Sequence, residues 1–366
     1  MNSLIEKLPV ELCVEVYSYV SPRYKLLKWV YENREKMDIP AMCQFPKSMD
    51  FIYDLIESEP ISWDYWKFIF RNNSAKAIKL MEKYNNTFHY TEELYELCAN
   101  PFYVDIIEQK LKNDKDQDES IVWSQLAKNP DPRALDIIKK DIEGEYKEYS
   151  CSALRWFCNC EDADDEIGCI CNEYQCWSAL CCNTNPDAIS LIEKNLDKLK
   201  DICWENLSSN PVAVSLLEKN LDKLDHWCWE EMCSNPCAIH ILKDNLDKVD
   251  WYILSGNVEA VPILQENLEK IDWTVISSNP GAISILEKNT DKIDWDAISL
   301  NPSAISLIQD RIENGEYINW SNLSKNVNAI KILESNIDKI DWKMLSLNTS
   351  IFEEDRKKMF EDIFKN

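Results

Sequence analysis

The sequence has few of the residues on which nucleotide-binding loops and most catalytic sites depend. Its 366 residues include five glycines and three histidines, His89, His226 and His240. It contains no G-x-G-x-x-G motif and no P-loop, in which glycines let the backbone approach a phosphate group. Its acidic pairs are expected on the surface of a chain this acidic. We therefore expect that the protein is not an enzyme and needs no cofactor.

Long apolar segments and an excess of basic residues are also absent from the sequence. No segment approaches the roughly 18 consecutive apolar residues that a membrane span requires. The N-terminus carries charges and Pro9 where a signal peptide needs an unbroken apolar stretch. The formal net charge is -25, from 65 acidic and 40 basic residues, and opposes binding to nucleic acid and to anionic membranes. We expect an intracellular protein that binds neither.

The sequence does contain a repeat anchored by tryptophan. The clearest copy begins at Trp273 and follows the pattern W-x-x-L-S-x-N-P-x-A-I-x-L-L-E-K-N-x-D-K-I-D. The anchors are Trp66, Trp123, Trp177, Trp204, Trp229, Trp251, Trp273, Trp295, Trp320 and Trp342. Two weaker copies have Leu94 and Cys151 in the tryptophan slot. About twelve repeats of roughly 22 to 29 residues therefore cover most of the chain.

Each repeat carries its own signals for helix starts and ends. Asn279 can cap a helix, and Pro280 suits the first helical position, where a missing N–H is harmless. The apolar residues between Ala282 and Leu286 then form a stripe along one helical face. Asn289 can adopt the left-handed conformation that ends a helix after about ten residues. Asp294 precedes the next tryptophan as the N-cap of a second, shorter helix.

These signals predict an all-α protein, an α-solenoid of about twelve short two-helix repeats with helical caps at both ends. The predicted segments are an N-terminal helical segment (1–62), the repeat array (63–349) and a C-terminal capping helix (350–366). A leucine-rich repeat has a similar period, but its alternating strand pattern does not recur here. We interpret each tryptophan as the largest core side chain of its repeat, and the alternative is an aromatic ladder for a ligand. The slot that follows the tryptophan varies between repeats, as Tyr252, Thr274 and Asp296 do, and we expect a binding surface to differ between repeats there.

The N-terminal segment has a motif that resembles the start of an F-box. Residues 8–20 contain L-P-x-E-L followed by an apolar helix, in which Leu12 and Val16 share one face. The resemblance implies that Leu8, Pro9, Leu12 and Val16 bind a Skp-type adaptor of a ubiquitin ligase. The second interpretation is an amphipathic helix that caps the first repeat.

Cysteines are concentrated between residues 151 and 182. Four of them lie in or beside an acidic insert and are candidate zinc ligands: Cys158, Cys160, Cys169 and Cys171. Their C-x-C spacing is less specific than the C-x2-C to C-x4-C spacing of most zinc sites. Elsewhere the repeat explains the cysteines as small core residues, since Cys181 and Cys233 occupy the slot that Ser277 fills. The four cysteines of the insert have two interpretations, as zinc ligands or as ordinary thiols.

The repeat resembles a protein family that is expanded in giant DNA viruses of amoebae and related protists. The match is close from Trp177 to Asn348 and looser before it. Such viruses also place F-box-like segments ahead of repeats. The resemblance implies a substrate adaptor of a ubiquitin ligase in the host cytoplasm or the viral factory, with the repeats binding a protein target. The alternative is a structural or assembly protein of the virion, which its abundance in purified particles would reveal.

Overall fold

The computed structural model describes residues 22–58, 63–72, 74–84, 97–113, 123–142, 177–355 and 357–358. Within these residues the chain is mostly helical, in agreement with the predicted class. The α-helices are Lys28–Tyr31, Ile39–Met42, Met49–Ser58, Trp63–Ile69, Ala75–Lys83, Val104–Asn113, Trp123–Lys128, Pro132–Ile142, Pro186–Glu193, Asp201–Ser209, Val214–Glu218, His226–Ser234, Ile239–Lys243, Trp251–Gly256, Val261–Glu266, Trp273–Ser278, Ile283–Leu286, Trp295–Ile298, Ile305–Glu313, Trp320–Lys325, Ile330–Glu334 and Trp342–Leu345. The described residues also include two short strands, β1 (Tyr24–Leu26) and β2 (Phe352–Glu354).

The chain forms two compact units. The first combines residues 1–81 with residues 323–366, and the second is residues 82–322. This division follows contacts in space, whereas the predicted segments 1–62, 63–349 and 350–366 follow the repeat pattern. The first unit therefore contains both the earliest and the latest described residues.

The repeat that begins at Trp273 shows the order of elements. A short helix, Trp273–Ser278, is followed by a 3-10 turn, Pro280–Ala282, and by one α-helical turn, Ile283–Leu286. A second 3-10 turn, Thr290–Lys292, leads to the next tryptophan helix. The predicted ten-residue helix is therefore wrong for this repeat, because its first turn is a 3-10 helix and its α-helical part ends at Leu286.

Asparagine and aspartate residues cap the N-termini of these helical elements, as predicted. Asn279 accepts a hydrogen bond from the N–H of Gly281, and Asp294 accepts from the N–H of Ala297. Asn289, however, has φ -133° and not the predicted left-handed conformation. Its side-chain amide donates to the carbonyl oxygen of Ile285 instead. That bond satisfies a carbonyl group at the helix end without a left-handed residue.

The end of the described chain differs from the predicted capping helix of residues 350–366. Phe352–Glu354 is strand β2, and it pairs antiparallel with β1 so that Phe352 lies opposite Leu26. Both of these side chains are buried. A short apolar run fits a helix or a strand equally well, and here the distant strand β1 decides the outcome. Residues 359–366 lie outside the described residues.

The repeats at Trp123 and Trp177 contact each other directly. Cys151 was assigned to the tryptophan slot of a repeat between Trp123 and Trp177. The side-chain amide of Asn183 donates directly to the carbonyl oxygens of Ala127 and Asn129, at 2.8 and 2.9 Å. Other consecutive repeats make this same contact, so the described repeats at Trp123 and Trp177 contact each other as neighbours do. The predicted Cys151 repeat itself lies outside the described residues.

A repeat that the tryptophan pattern misses lies near the N-terminus. Ile39 occupies the tryptophan slot, and Cys43 occupies the serine slot with its thiol bonded to the carbonyl oxygen of Ile39. Asp38 caps this helix by accepting from the N–H of Ala41. Asn72 then donates to the carbonyl oxygen of Cys43 at 2.7 Å, as the asparagine of a following repeat should. The helical pattern therefore begins before Trp66, within the predicted N-terminal segment.

Candidate interaction surface

Two groups of residues that the sequence predicts to bind a partner or a metal lie outside the described residues. These are the F-box-like residues Leu8, Pro9, Leu12 and Val16 and the zinc candidates Cys158, Cys160, Cys169 and Cys171. In the described part of the chain, no group of three or more His, Cys, Asp or Glu side chains could hold a metal ion. Over the same residues, no helix combines the length and hydrophobicity of a membrane span. The repeats themselves are therefore the candidate site.

A buried asparagine joins most of the described repeats to the repeat before it. The side-chain amide of Asn279 donates to the carbonyl oxygens of Ser255 and Asn257, at 3.0 and 3.2 Å. The equivalent amides link Asn72 to Cys43, Asn129 to Cys98 and Asn100, Asn183 to Ala127 and Asn129, Asn210 to Cys181 and Asn183, Asn235 to Ser208 and Asn210, Asn257 to Cys233, Asn301 to Ser277 and Asn279, and Asn348 to Ser324 and Asn326. Each bond contributes about 1 kcal/mol, and an unmatched buried partner would cost more.

The serine two residues before this asparagine makes a second contact between repeats. The hydroxyl of Ser277 donates to the carbonyl oxygen of Trp273 and accepts from the backbone N–H of Asp294 in the next repeat. Ser255 makes the same bond with Asp272, and Ser324 with Asp341. The register between neighbouring repeats is therefore set by polar groups as well as by apolar packing.

A cation covers most of the repeat tryptophans. Lys248 Nζ lies 4.3 Å from the ring centroid of Trp229, and Lys292 Nζ lies 4.7 Å from that of Trp273. The same contact pairs Lys223 with Trp204, Lys270 with Trp251, Arg311 with Trp295 and Lys36 with Trp342. Trp229 is buried, as the core interpretation predicted, whereas Trp273 is half-buried. Its remaining face is shielded by lysine, which stabilises a partly exposed ring.

The described cysteines in the serine slot and in the position before the tryptophan are buried thiols. Cys181 and Cys233 lie in the serine slot, Cys203 and Cys228 lie one residue before a tryptophan, and all four are free. Burial raises the pKa of the Cys233 and Cys228 thiols to about 11. A hydrogen bond between Cys181 and Cys203, together with burial, raises the pKa of Cys181, and the same bond lowers the pKa of Cys203 to about 7. All four cysteines are core residues of the repeats, as the serine slot predicted for Cys181 and Cys233.

The slot that follows the tryptophan is exposed and differs between repeats. Tyr252 is 63% exposed, and Thr274 and Asp296 are exposed at the same position of the next two repeats. Asp296 is itself bonded, because Tyr317 Oη and the Asn319 amide both donate to its carboxylate. These positions were predicted to carry a variable binding surface, and their exposure makes them accessible to a partner.

Two further exposed apolar side chains lie two residues before the tryptophan slot. Ile202 is 49% exposed and Trp227 is 52% exposed. Both belong to repeats whose first helix is longer at its N-terminus, Asp201–Ser209 and His226–Ser234. The repeat pattern does not predict the exposure of these residues, because the extra turn falls outside the repeat motif. The signal for them was the longer spacing before their tryptophans, 27 residues from Trp177 to Trp204 and 25 from Trp204 to Trp229, compared with 22 in the shorter copies.

Comparisons with known proteins add no relative to this description. No family model matches the sequence, and neither the curated proteins nor the solved structures contain a match. The functional interpretation therefore rests on the geometry of the repeats and on the sequence motifs.

Proposed function

We propose that the chain is a protein–protein interaction scaffold whose repeats form an α-solenoid. The observation that carries this proposal is the contrast between fixed and variable positions within a repeat. Ser277 and Asn279 are buried and bonded to neighbouring repeats. Thr274, on the same helix, is exposed, and its slot holds different residues in other repeats. Repeat proteins present varied side chains to a partner in this way, on a constant frame.

The specific form of this proposal is a viral F-box-like substrate adaptor of a ubiquitin ligase. Leu8, Pro9, Leu12 and Val16 would bind a Skp-type adaptor, and the exposed slots of the repeats would bind the protein to be modified. The L-P-x-E-L motif and the resemblance of the repeats to a giant-virus family support this form. The charge of -25 is consistent with a protein target and unfavourable for nucleic acid.

An affinity pull-down from host-cell extract tests the adaptor role. The full chain is compared with a Leu8→Ala/Pro9→Ala variant, and retained proteins are identified by mass spectrometry. We expect a Skp-type adaptor and a cullin with the full chain and neither with the variant, because an apolar helix start anchors such a contact.

A Glu6→Ala/Lys7→Ala variant is the matched control, since it changes two neighbouring residues outside the apolar motif. It should retain the same ligase components as the full chain. If the full chain retains no ligase component, the adaptor form is wrong. If it also retains no other protein above a tag-only control, the scaffold proposal fails with it.

A further inference from the structure

Three large side chains of consecutive repeats are exposed on their tryptophan-bearing helices. Ile202 and Trp227 occupy equivalent positions, eight residues before Asn210 and Asn235. Tyr252, the most exposed of the three at 63%, lies one helical turn further along the next repeat. Exposed tryptophan and tyrosine at neighbouring positions are typical of interaction surfaces, where such residues dominate the binding energy.

Acidic side chains accompany these apolar residues on the same helical face. Glu205 lies three residues after Ile202, and Glu230 and Glu231 lie three and four residues after Trp227. Residues at these spacings are neighbours on a helix surface. Glu230 also occupies the repeat position of Tyr252.

The three helices that carry these residues supply no strong cation of their own. Asp201–Ser209, His226–Ser234 and Trp251–Gly256 contain neither lysine nor arginine. Three of the lysines between these helices already have partners: Lys223 and Lys248 lie over the rings of Trp204 and Trp229, and Lys219 pairs with Glu193. The ring of Trp227 contacts His226, with ring centroids 4.4 Å apart, and still keeps half of its surface exposed.

We propose that this surface binds a basic protein segment that carries arginine together with apolar side chains. We call the surface the aromatic–acidic face and define it by Ile202, Glu205, Trp227, Glu230, Glu231 and Tyr252. The proposal rests on the scaffold function and adds to it the place of binding and the chemistry of the partner.

Arginine can contact both the aromatic and the acidic side chains of the aromatic–acidic face. Its guanidinium group can stack on Trp227 or Tyr252 and can form two parallel hydrogen bonds with a carboxylate such as Glu230. The same protein already covers its inner tryptophans with cations, as Lys270 covers Trp251. Packed helices lie about 8–10 Å apart, so three of them span about 20 Å, which about six residues of extended chain would cover.

A fluorescence anisotropy titration with a defined peptide tests the proposal. The probe is a fluorescein-labelled peptide of alternating arginine and leucine, and the protein is the full chain. Two peptides of the same length serve as comparisons, one with glutamate for arginine and one with serine for leucine. We expect the arginine–leucine peptide to bind most tightly and the glutamate peptide not to bind, and we expect binding to weaken as salt rises.

Variants locate the binding on the chain. Trp227→Ala should weaken binding about tenfold or more, whereas Phe102→Ala, which truncates another exposed aromatic residue, should change it less than about twofold. Glu230→Gln/Glu231→Gln should weaken binding and reduce its salt dependence. Asp197→Asn/Asp222→Asn removes the same charge from other exposed positions and should leave binding unchanged.

The proposal is overturned if the arginine–leucine peptide does not bind, or if it binds all variants equally. Equal binding would mean that the net charge of the chain attracts the peptide without a specific surface. The scaffold proposal is judged separately by the pull-down. If a specific partner is retained equally by the full chain and by Trp227→Ala, the scaffold stands and the aromatic–acidic face is not its binding site.

Discussion

The backbone N–H of Asp38 donates a hydrogen bond of 2.7 Å to the Oγ atom of Ser346, although the two residues are 308 positions apart in the chain. Ser324 and Asp341 form the same bond between two consecutive repeats. Lys36 lies over the ring of Trp342, as the lysine of a following repeat does. The N-terminal segment that begins near Asp38 therefore takes the place of the repeat after Trp342.

Replacement of Ser346 by alanine tests this equivalence. The change leaves the half-buried N–H of Asp38 without its acceptor and should lower the free energy of unfolding by about 1–2 kcal/mol. Ser277→Ala, which removes the same bond to Asp294, should have a similar effect. Urea denaturation measures both, and amide hydrogen exchange at Asp38 should become faster in Ser346→Ala. Unchanged exchange at Asp38 would contradict the role assigned to this bond.

The buried asparagine has two separable roles, and Asn279→Asp distinguishes them. A carboxylate can still accept from the N–H of Gly281, but it cannot donate to the carbonyl oxygens of Ser255 and Asn257. We expect a loss of about 3 kcal/mol in urea denaturation, because a buried charge faces two unmatched acceptors.

Asn289→Asp is the matched control for this substitution. It makes the same change of charge at a half-buried residue, which donates to Ile285 alone. Its effect should be about 1 kcal/mol or less. Equal losses for the two variants would mean that the contact between repeats is not the main contribution of Asn279.

The sequence predicts local features of this fold better than distant ones. The caps Asn279 and Asp294 were predicted correctly because a cap depends on residues a few positions away. The repeat at Ile39 was missed because it lacks both tryptophan and asparagine, and its repeat contacts are recognised only through Ser346 and Asn72. Pairing of β1 with β2 depends on contacts between the two ends of the chain, which local periodicity does not encode.

The exposed surface was predicted only in part, because the repeat pattern does not describe the residues between its copies. Tyr252 was found because the slot after the tryptophan varies within the repeat pattern. Ile202 and Trp227 were not found, because hydrophobic side chains in a periodic sequence are normally assigned to the core. Both lie on the outer side of one extra helical turn, whose inner side carries the buried Cys203 and Cys228.

Two cysteines of one repeat should differ in reactivity. Cys237 is exposed, whereas Cys233 is buried and its pKa is raised to about 11 by burial. At pH 8 the Cys233 thiol stays protonated and inaccessible, and the thiolate is the reactive form. Iodoacetamide labelling read by mass spectrometry should therefore modify Cys237 first. Labelling in urea should modify both, and rapid labelling of Cys233 in the folded protein would contradict its place in the core.

Replacement of Cys233 by serine should be tolerated. Serine fills this slot in other repeats, where its hydroxyl bonds to the carbonyl oxygen of the tryptophan four residues earlier, as Ser208 does with Trp204. Cys233 makes the equivalent bond to Trp229 at 3.2 Å. We expect a change in the free energy of unfolding within about 0.5–1 kcal/mol, measured by urea denaturation. Cys233→Val removes this hydrogen bond while keeping a small side chain, and it should be the more destabilising of the two.

The stability of the first unit should depend on the ionisation of Asp50. This carboxylate is buried and accepts hydrogen bonds from Arg23, Lys76 and the backbone N–H of Tyr24, at 2.7, 2.8 and 3.0 Å. Burial alone would raise the pKa of Asp50, but the bonds from Lys76, Arg23 and Tyr24 outweigh it and hold the pKa below its usual range. A lowered pKa in the folded state stabilises the fold above the unfolded pKa of about 3.9, and this contribution is lost as the pH falls through the folded value.

Asp50→Asn should therefore destabilise the protein by about 2 kcal/mol at neutral pH, where it leaves two partly buried cations without their carboxylate. The difference from the unsubstituted chain should persist down to about pH 5 and shrink below about pH 4, since Asp50 itself then becomes protonated. Urea denaturation at several pH values measures it. Asp54→Asn, which removes an exposed partner of Lys358, is the control and should cost about 0.5 kcal/mol or less. A difference that stays constant through acid pH would show that the charge of Asp50 does not stabilise the fold.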